Sequence, residues 1–334
     1  DWMKSKNLSK EDRIAVPRKI DIETENPNLR ELLRDDVRTY RKYREIDKLL
    51  EKIDTQSLEQ DFSERYRKDR NISLGGLREI CNKEDIDPCK YLDTVMSKAG
   101  RKAVTVPKEL DKDLAWMIGA IAGDGYIGNS AVNLSGNENQ ILERFRGIVN
   151  NKFDRNVSIN EREDGLSSFT LNSRAIADLL NDHFGIPRGN KAPNIKMPKE
   201  GLPDNLLASY IRGLFDTDGS VNCRKNSSGA SCIEFYSSSK QLVQELHMSL
   251  LRFGINAHRD KRDTIGRVTE IDNRKIETNG DIYRLKIYGS DQLRKYREEI
   301  GFTHPGKNSK LKKAIKINPE GGRKQNDVIP TTLG

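Results

Sequence analysis

Cysteine and histidine are scarce, four of each in 334 residues. Cys81 and Cys89 lie eight apart and Cys223 and Cys232 nine apart, spacings of neither a zinc ribbon nor a redox pair, so they read as free thiols in a reducing compartment. So few histidines argue against a histidine-based metal centre, and any metal at work here should be held by oxygen. Long apolar runs are missing too. The longest, Leu114 to Ala122, has nine residues, far short of a membrane span. The opening Asp1-Trp2-Met3-Lys4 carries no apolar signal region. Acidic charge is in deficit: 51 Asp and Glu against 59 Lys and Arg leave +8. That surplus suits a polyanionic partner only if it is concentrated.

It is concentrated. Between 301 and 324 stand Lys307, Lys310, Lys312, Lys313, Lys316, Arg323 and Lys324 against Glu320 alone. The chain also repeats itself. Residues 114–125, Leu-Ala-Trp-Met-Ile-Gly-Ala-Ile-Ala-Gly-Asp-Gly, match 208–219, Ala-Ser-Tyr-Ile-Arg-Gly-Leu-Phe-Asp-Thr-Asp-Gly, with Asp124 on Asp218 at an offset of 94. Downstream, Val132–Ser135 pairs with Ile233–Tyr236 at offset 101, followed by helical patterns at Gln140–Asn150 and Gln241–Phe253. Phe169 then pairs with Leu285 and Gly185 with Gly301 at offset 116. The offset grows between elements, where loops tolerate insertion. The second copy's extra length lies in Asp260–Asp281, a polar, hairpin-like stretch. Each copy reads as helix, strands, helix, strands, helix.

Small residues recur four apart in both leading helices: Ala115, Gly119, Gly123 and Ser209, Gly213, Thr217. Residues four apart share a face, and a face without bulk lets two backbones approach closely. Glycine inside a helix costs about 1 kcal/mol against alanine, so these faces need a packing reason. Asp124 and Asp218 close the helices at C-termini, where the macrodipole disfavours a carboxylate. Packing the helices side by side would also bring two like charges together. A divalent cation between them removes both penalties, and hard oxygen donors point to Mg²⁺.

The two segments, Met-Ile-Gly-Ala-Ile-Ala-Gly-Asp-Gly at 117–125 and Ile-Arg-Gly-Leu-Phe-Asp-Thr-Asp-Gly at 211–219, resemble the paired motifs of the LAGLIDADG homing endonucleases, of the single-chain, two-motif type found in inteins. The resemblance covers roughly 105–330. It implies an α+β fold, αββαββα twice about a pseudo-twofold axis, with halves at 104–200 and 201–318. It implies a Mg²⁺-dependent endonuclease, a monomer acting on a double-stranded DNA target, cytoplasmic beside the chromosome of a prokaryotic, archaeal cell. The final acid of each motif is the family's metal ligand, here Asp124 and Asp218, with Gly123 and Thr217 just before them in the metal site. The motif's earlier acid is Asp216 in the second copy and Ala122 in the first, a position usually structural. The family also has a basic residue per half near the scissile phosphates. Gly185 to Lys191 and Gly301 to Lys307 are both six residues, which favours Lys191 with Lys307; Lys196 and Lys310 are the alternates. Polar strand residues within 132–135, 157–173, 232–239 and 282–289 would read bases in the major groove.

Residues 7–20, ending Ile-Ala-Val-Pro-Arg-Lys-Ile, resemble the strand that leads out of an intein's N-terminal splicing half, and Gln325–Pro330 the segment that resumes it. Residues 1–25 and 319–334 would then be splicing-domain remnants. No nucleophile stands at position 1, and neither a Thr-x-x-His block nor a terminal His-Asn is present, so the expectation is a fragment that does not splice by itself. Residues 26–103 read as a small helical domain. Within it, 71–92 resemble a helix-turn-helix, with a plain helical packing module as the alternative, and Val104–Lys108 reads as an extended linker. The competing function is a cleavage-inactive DNA- or RNA-binding maturase or regulator on the same fold.

Overall fold

The computed structural model of the chain describes residues 19–40, 43–51, 72–97, 103–161, 166–223, 231–262, 266, 268–271, 274–277 and 280–317. Most of the intein-like opening segment and all of Gln325–Pro330 lie outside them.

The first half opens with helix α3, Lys112–Asp124. Asp111 caps it, its carboxylate accepting from the Leu114 N–H at 2.9 Å, and it stops where Gly125 turns extended. Strands β4 (Gly125–Ile127) and β5 (Val132–Gly136), helix α4 (Asn139–Phe153), strands β6 (Ile159–Glu161) and β7 (Ser167–Leu171) and helix α5 (Arg174–His183) follow. The second half repeats the order: α6 (Asp204–Asp218), β8 (Gly219–Asn222), β9 (Cys232–Ser237), α7 (Lys240–Leu251), β10 (His258–Arg262), β13 (Ile282–Tyr288) and α8 (Ser290–Glu299). The sheets run β4-β5-β7-β6 and β8-β9-β13-β10, antiparallel throughout. The expected αββαββα pattern, twice, is therefore present with identical strand order. The extra length of the second copy is a hairpin, β11 (Val268–Ile271) paired with β12 (Arg274–Glu277). A further helix, α9 (Pro305–Ile317), closes the second half; the first has only loop and turns at 185–200.

Alternation within the strands fixes which face is core. Val132, Leu134, Phe169 and Leu171 in one sheet, and Ile233, Phe235, Leu285 and Ile287 in the other, are buried. Phe145 meets Phe169 edge to face at 5.0 Å, and Phe215 stacks on Phe235 at 5.3 Å, so each sheet is clamped to a helix by an aromatic pair.

The section before the halves differs from its sequence reading. It is not helical. A three-stranded sheet, β1 (Val37–Thr39), β2 (Thr94–Ser97) and β3 (Val104–Thr105), accompanies helices α1 (Tyr43–Leu50) and α2 (Leu74–Lys83). The stretch read as a linker supplies β3, with Val104 and Val106 buried, so the boundary expected at 103–104 falls inside a sheet. The second element of the helix-turn-helix reading is a single 3₁₀ turn, Pro88–Tyr91, started by Asp87 and Pro88. Four residues are too few for a recognition helix. The module is fastened to α5, where Arg34 grips Asp182 at 2.5 and 2.8 Å and reaches buried Asp178 at 2.7 Å. The strap before it touches both halves: Ile20 N–H donates to the Leu251 carbonyl, and the Asn26 amide to that of Leu110.

Candidate functional site

Helices α3 and α6 pack together along their small-residue faces. A Cβ added to Gly119 would lie 2.9 Å from the carbonyl carbon of Tyr210 and 3.0 Å from Leu214 N. A Cβ on Gly213 would lie 2.9 Å from the carbonyl carbon of Trp116 and 2.9 Å from Ala120 N. Each obstacle is the other displaced by 94 residues, so the interface is twofold at the level of single atoms. Farther along, a side chain at Gly123 would collide with Thr217. At Gly119 and Gly213 such contact needs hydrogen in place of a methyl on both sides, as the small-residue spacing required.

This packing brings Asp124 and Asp218 together at the helix ends, the Asp218 carboxyl carbon lying 3.4 Å from where a Cβ on Gly123 would stand. Both residues are exposed at the surface, while enough protein crowds the Asp218 carboxyl to weaken its hydration. Burial first, and the neighbouring Asp124 second, push the Asp218 carboxyl up to about 7. Among the described residues no third histidine, cysteine, aspartate or glutamate joins them in a metal-binding cluster.

Two lysines complete the pair. Lys191 Nζ donates to the carbonyls of Ile121, at 2.9 Å, and Gly123. Lys307 Nζ donates to the carbonyls of Phe215 (3.1 Å), Asp216 (2.6 Å) and Thr217 (3.2 Å). Ile121 and Gly123 displaced by 94 are Phe215 and Thr217, so each lysine caps its own half's motif helix in the same way. A cation suits a helix C-terminus, where carbonyls lack partners. Burial pulls Lys191 down to about 8, against the attraction of Asp218 and Asp124. Lys307 is lowered for the same reason, with Glu138 foremost among the acids opposing it.

The expected residues therefore separate. Asp124, Asp218, Lys191 and Lys307 converge. The carbonyls of Gly123 and Thr217, placed in the expected metal site, accept from the lysines. Lys196 stays exposed, and what it contributes here is backbone, its N–H donating to the Gly185 carbonyl at 3.0 Å. Lys310 is exposed as well, its carbonyl accepting from Cys223 Sγ.

Asp216 is buried and structural. It accepts from Trp116 Nε1 at 2.8 Å and from the backbone N–H groups of Thr303 and His304, tying both motif helices to the residues that lead into α9, which carries Lys307. Sequence reasoning missed what stands beside it. His304 Nε2 meets Glu138 at 2.7 Å across the two halves, and Glu138, Asn137 and Ser135 line a cleft next to Asp124. No motif marks Glu138.

Comparison with known proteins follows the same division. Residues 205–301 match the family described as LAGLIDADG-like domain, and residues 114–183 the family described as WhiA LAGLIDADG-like domain. Among curated proteins of Methanocaldococcus jannaschii, the chain is 27% identical over 323 residues to a probable translation initiation factor IF-2, covering 94% of this chain and 26% of that protein. It is 28% identical over 212 residues to a replication factor C small subunit (62% and 10%), and 26% identical over 267 residues to a glutamine–fructose-6-phosphate aminotransferase (78% and 21%). The chain spans about a quarter or less of the length of these relatives. Similar solved structures include the homing endonuclease I-WcaI bound to its DNA recognition sequence, at 14% identity, 60% of this chain, 87% of that one and TM-score 0.37. Full-length DUF199/WhiA from Thermatoga maritima is similar at 18%, 62%, 59% and 0.40. No helix among the described residues is long and apolar enough to cross a membrane.

Proposed function

We propose that this chain is a site-specific double-strand DNA endonuclease of the homing type, carried within an intein, which hydrolyses one phosphodiester in each strand with Mg²⁺. The observation that carries the reading is the convergence of Asp124 and Asp218, each backed by a lysine, about an approximate twofold axis. Two equivalent reactive corners suit two antiparallel strands. The donors fit Mg²⁺: they are hard oxygens, and two carboxylates that meet at helix C-termini, with Asp124 raising its neighbour Asp218 after burial, would be relieved by a divalent cation. Asp124 and Asp218 would hold the ion, with the carbonyls of Gly123 and Thr217 beside them. Bound there, Mg²⁺ would supply charge to the phosphate oxygens. The chain's own residues do the rest. Lys191 Nζ, lowered toward neutrality, can hold or release a proton at the scissile position, while Lys307 presents a cation on the opposite side.

The intein setting draws support from the relatives. An initiation factor, a replication factor and an aminotransferase share no activity, and each matches over a tenth to a quarter of its length. A segment inserted into unrelated hosts gives that pattern; a shared function does not. The residues that resemble splicing-domain remnants are consistent with it.

A second reading, a cleavage-inactive DNA- or RNA-binding regulator or maturase, is favoured by the WhiA-type match over the first half. The two divide on one experiment. Duplex DNA carrying the uninterrupted host-gene junction should be cut in both strands by the chain with Mg²⁺, and Asp124→Asn and Asp218→Asn should each abolish cutting while a gel shift persists. Binding by the unaltered chain without any cutting would leave the regulator.

A further inference from the structure

The outer faces of the two sheets occupy one grid but carry different chemistry. In the first sheet a cross-strand row reads Asn160, Ser168, Ser135, and the next pairs Thr170 with Asn133. At matching places in the second sheet stand Asp260, Arg284, Tyr236, and then Lys286 with Glu234. One grid is uncharged at these places and the other is an ionic network. Glu234 is its hub. Buried at 4% exposure, it accepts from the amide of Asn222, the hydroxyl of Tyr236 at 3.2 Å and Arg284 Nη1 at 3.4 Å, with Lys286 Nζ at 3.9 Å. Asp260 takes Arg284 side-on, through Nε at 2.9 Å and Nη2. Arg262 lies 5.3 Å over the Tyr236 ring and screens the same corner.

Count the donors on Arg284. A guanidinium has five N–H groups. Two go to Asp260 and one to Glu234, which leaves one on each terminal nitrogen. A side chain held at one edge loses little freedom when it binds with the other. Two parallel N–H donors match O6 and N7 of guanine in the major groove. Glu234 and Asp260 are neutralised within the network, so this face does not repel a phosphate backbone.

We propose that Arg284 reads a guanine in the half-site under the second sheet, its guanidinium set in advance by Asp260 and Glu234, whereas the equivalent Ser168 leaves the first half-site without a counterpart. The inference rests on the DNA-binding reading above and narrows it to a base and a residue. Asp260 and Glu234 are positioning residues.

The test is selection of binding sites from a randomised duplex pool by the full chain in Ca²⁺, repeated with Arg284→Lys and Arg284→Gln. Lysine keeps the charge against both carboxylates but cannot make the paired bonds, so it guards against an unfolded glutamine variant. The unaltered chain should enrich a site with one guanine column that both variants lose, a tenfold or greater drop in preference at that position, the other columns remaining. Asp260→Asn should weaken the same column by a smaller factor. An unchanged guanine column in Arg284→Lys overturns the proposal while leaving DNA binding in place. Absence of any enriched sequence with the unaltered chain overturns the DNA-binding reading itself, and this proposal with it.

Discussion

Gly119 and Gly213 face the same obstacle, a backbone carbonyl of the opposite helix, whereas Asn133 and Glu234, equally matched by position, sit among unlike neighbours. The contrast runs through the molecule. Where the halves face each other, the duplication survives to single hydrogen bonds, as in the lysine caps on Ile121 and Gly123 and on Phe215 and Thr217. Where they face outward, one sheet presents hydroxyls and amides and the other an ion network. A close-packed twofold interface constrains both partners at once, since a change on one side must be met on the other. An exposed sheet face has no such tie. The inner symmetry therefore reports what bringing two carboxylates together requires, and the outer asymmetry shows that the sheet faces are free of that requirement.

The sharpest way to break the inner symmetry is to add a methyl to it. Gly119→Ala and Gly213→Ala should each destabilise the chain by about 3 kcal/mol or more, because the new carbon meets rigid backbone rather than a side chain that can turn aside. The comparison demands near-equal losses in denaturant titrations. A severe loss at one glycine with a mild one at the other would mean that the helices are not equivalently packed.

One exception to that symmetry has its own logic. Asp216 is fully partnered, but its counterpart is Ala122, and the counterpart of Thr303, whose N–H it accepts, is Pro187, which has none. Acid and donor are missing together. Tyr210, the counterpart of Trp116, is left with a buried hydroxyl that has no hydrogen-bond partner among the described residues. Asp216→Ala should cost about 3 kcal/mol by stranding three donors. Ala122→Asp should also destabilise, by roughly 1–2 kcal/mol, since Pro187 offers no donor and the Arg188 N–H, counterpart of that of His304, already donates to Asn181. Adding Pro187→Thr to Ala122→Asp should recover part of that loss. A stabilising Ala122→Asp on its own would show that the donor does not matter.

Much of this was legible before any coordinates. The offset of 94, the four-residue spacing of small side chains and the Asp-Gly endings identify α3, α6 and the meeting of their acids, because helix periodicity is local and strong. Equal steps from Gly185 and Gly301 favoured Lys191 and Lys307 over Lys196. What stayed hidden depends on contacts distant in sequence. That both lysines are caps follows from carbonyls about 70 and 90 residues away. Val37–Thr39 is three residues long, too short for alternation to declare a strand, and β3 becomes one only by finding β2. The supposed recognition helix failed because Asp87 and Pro88 start a turn that nothing after Tyr91 continues.

The smallest expected effect concerns the carboxylates themselves. Asp218 titrates higher in the folded chain than its ordinary value of 3.8, so between about pH 4 and 7 the native state holds a proton that the unfolded chain has released. Stability in chelator should therefore fall as pH rises through that window. Solvent access to the carboxylate holds the change to the order of 1 kcal/mol. Lys191, lowered to about 8, contributes the opposite slope, but only between that value and 10.5, so the two do not overlap. Asp218→Asn should remove the acid-side slope, as read from urea midpoints at pH 4.5, 6 and 7.5. Millimolar Mg²⁺ at pH 7.5 should raise the midpoint of the unaltered chain and leave that of Asp218→Asn nearly unmoved, because an ion that binds only the folded pair stabilises by mass action. Equal gains in both proteins would place Mg²⁺ elsewhere and leave the twofold pair of acids as a packing consequence alone.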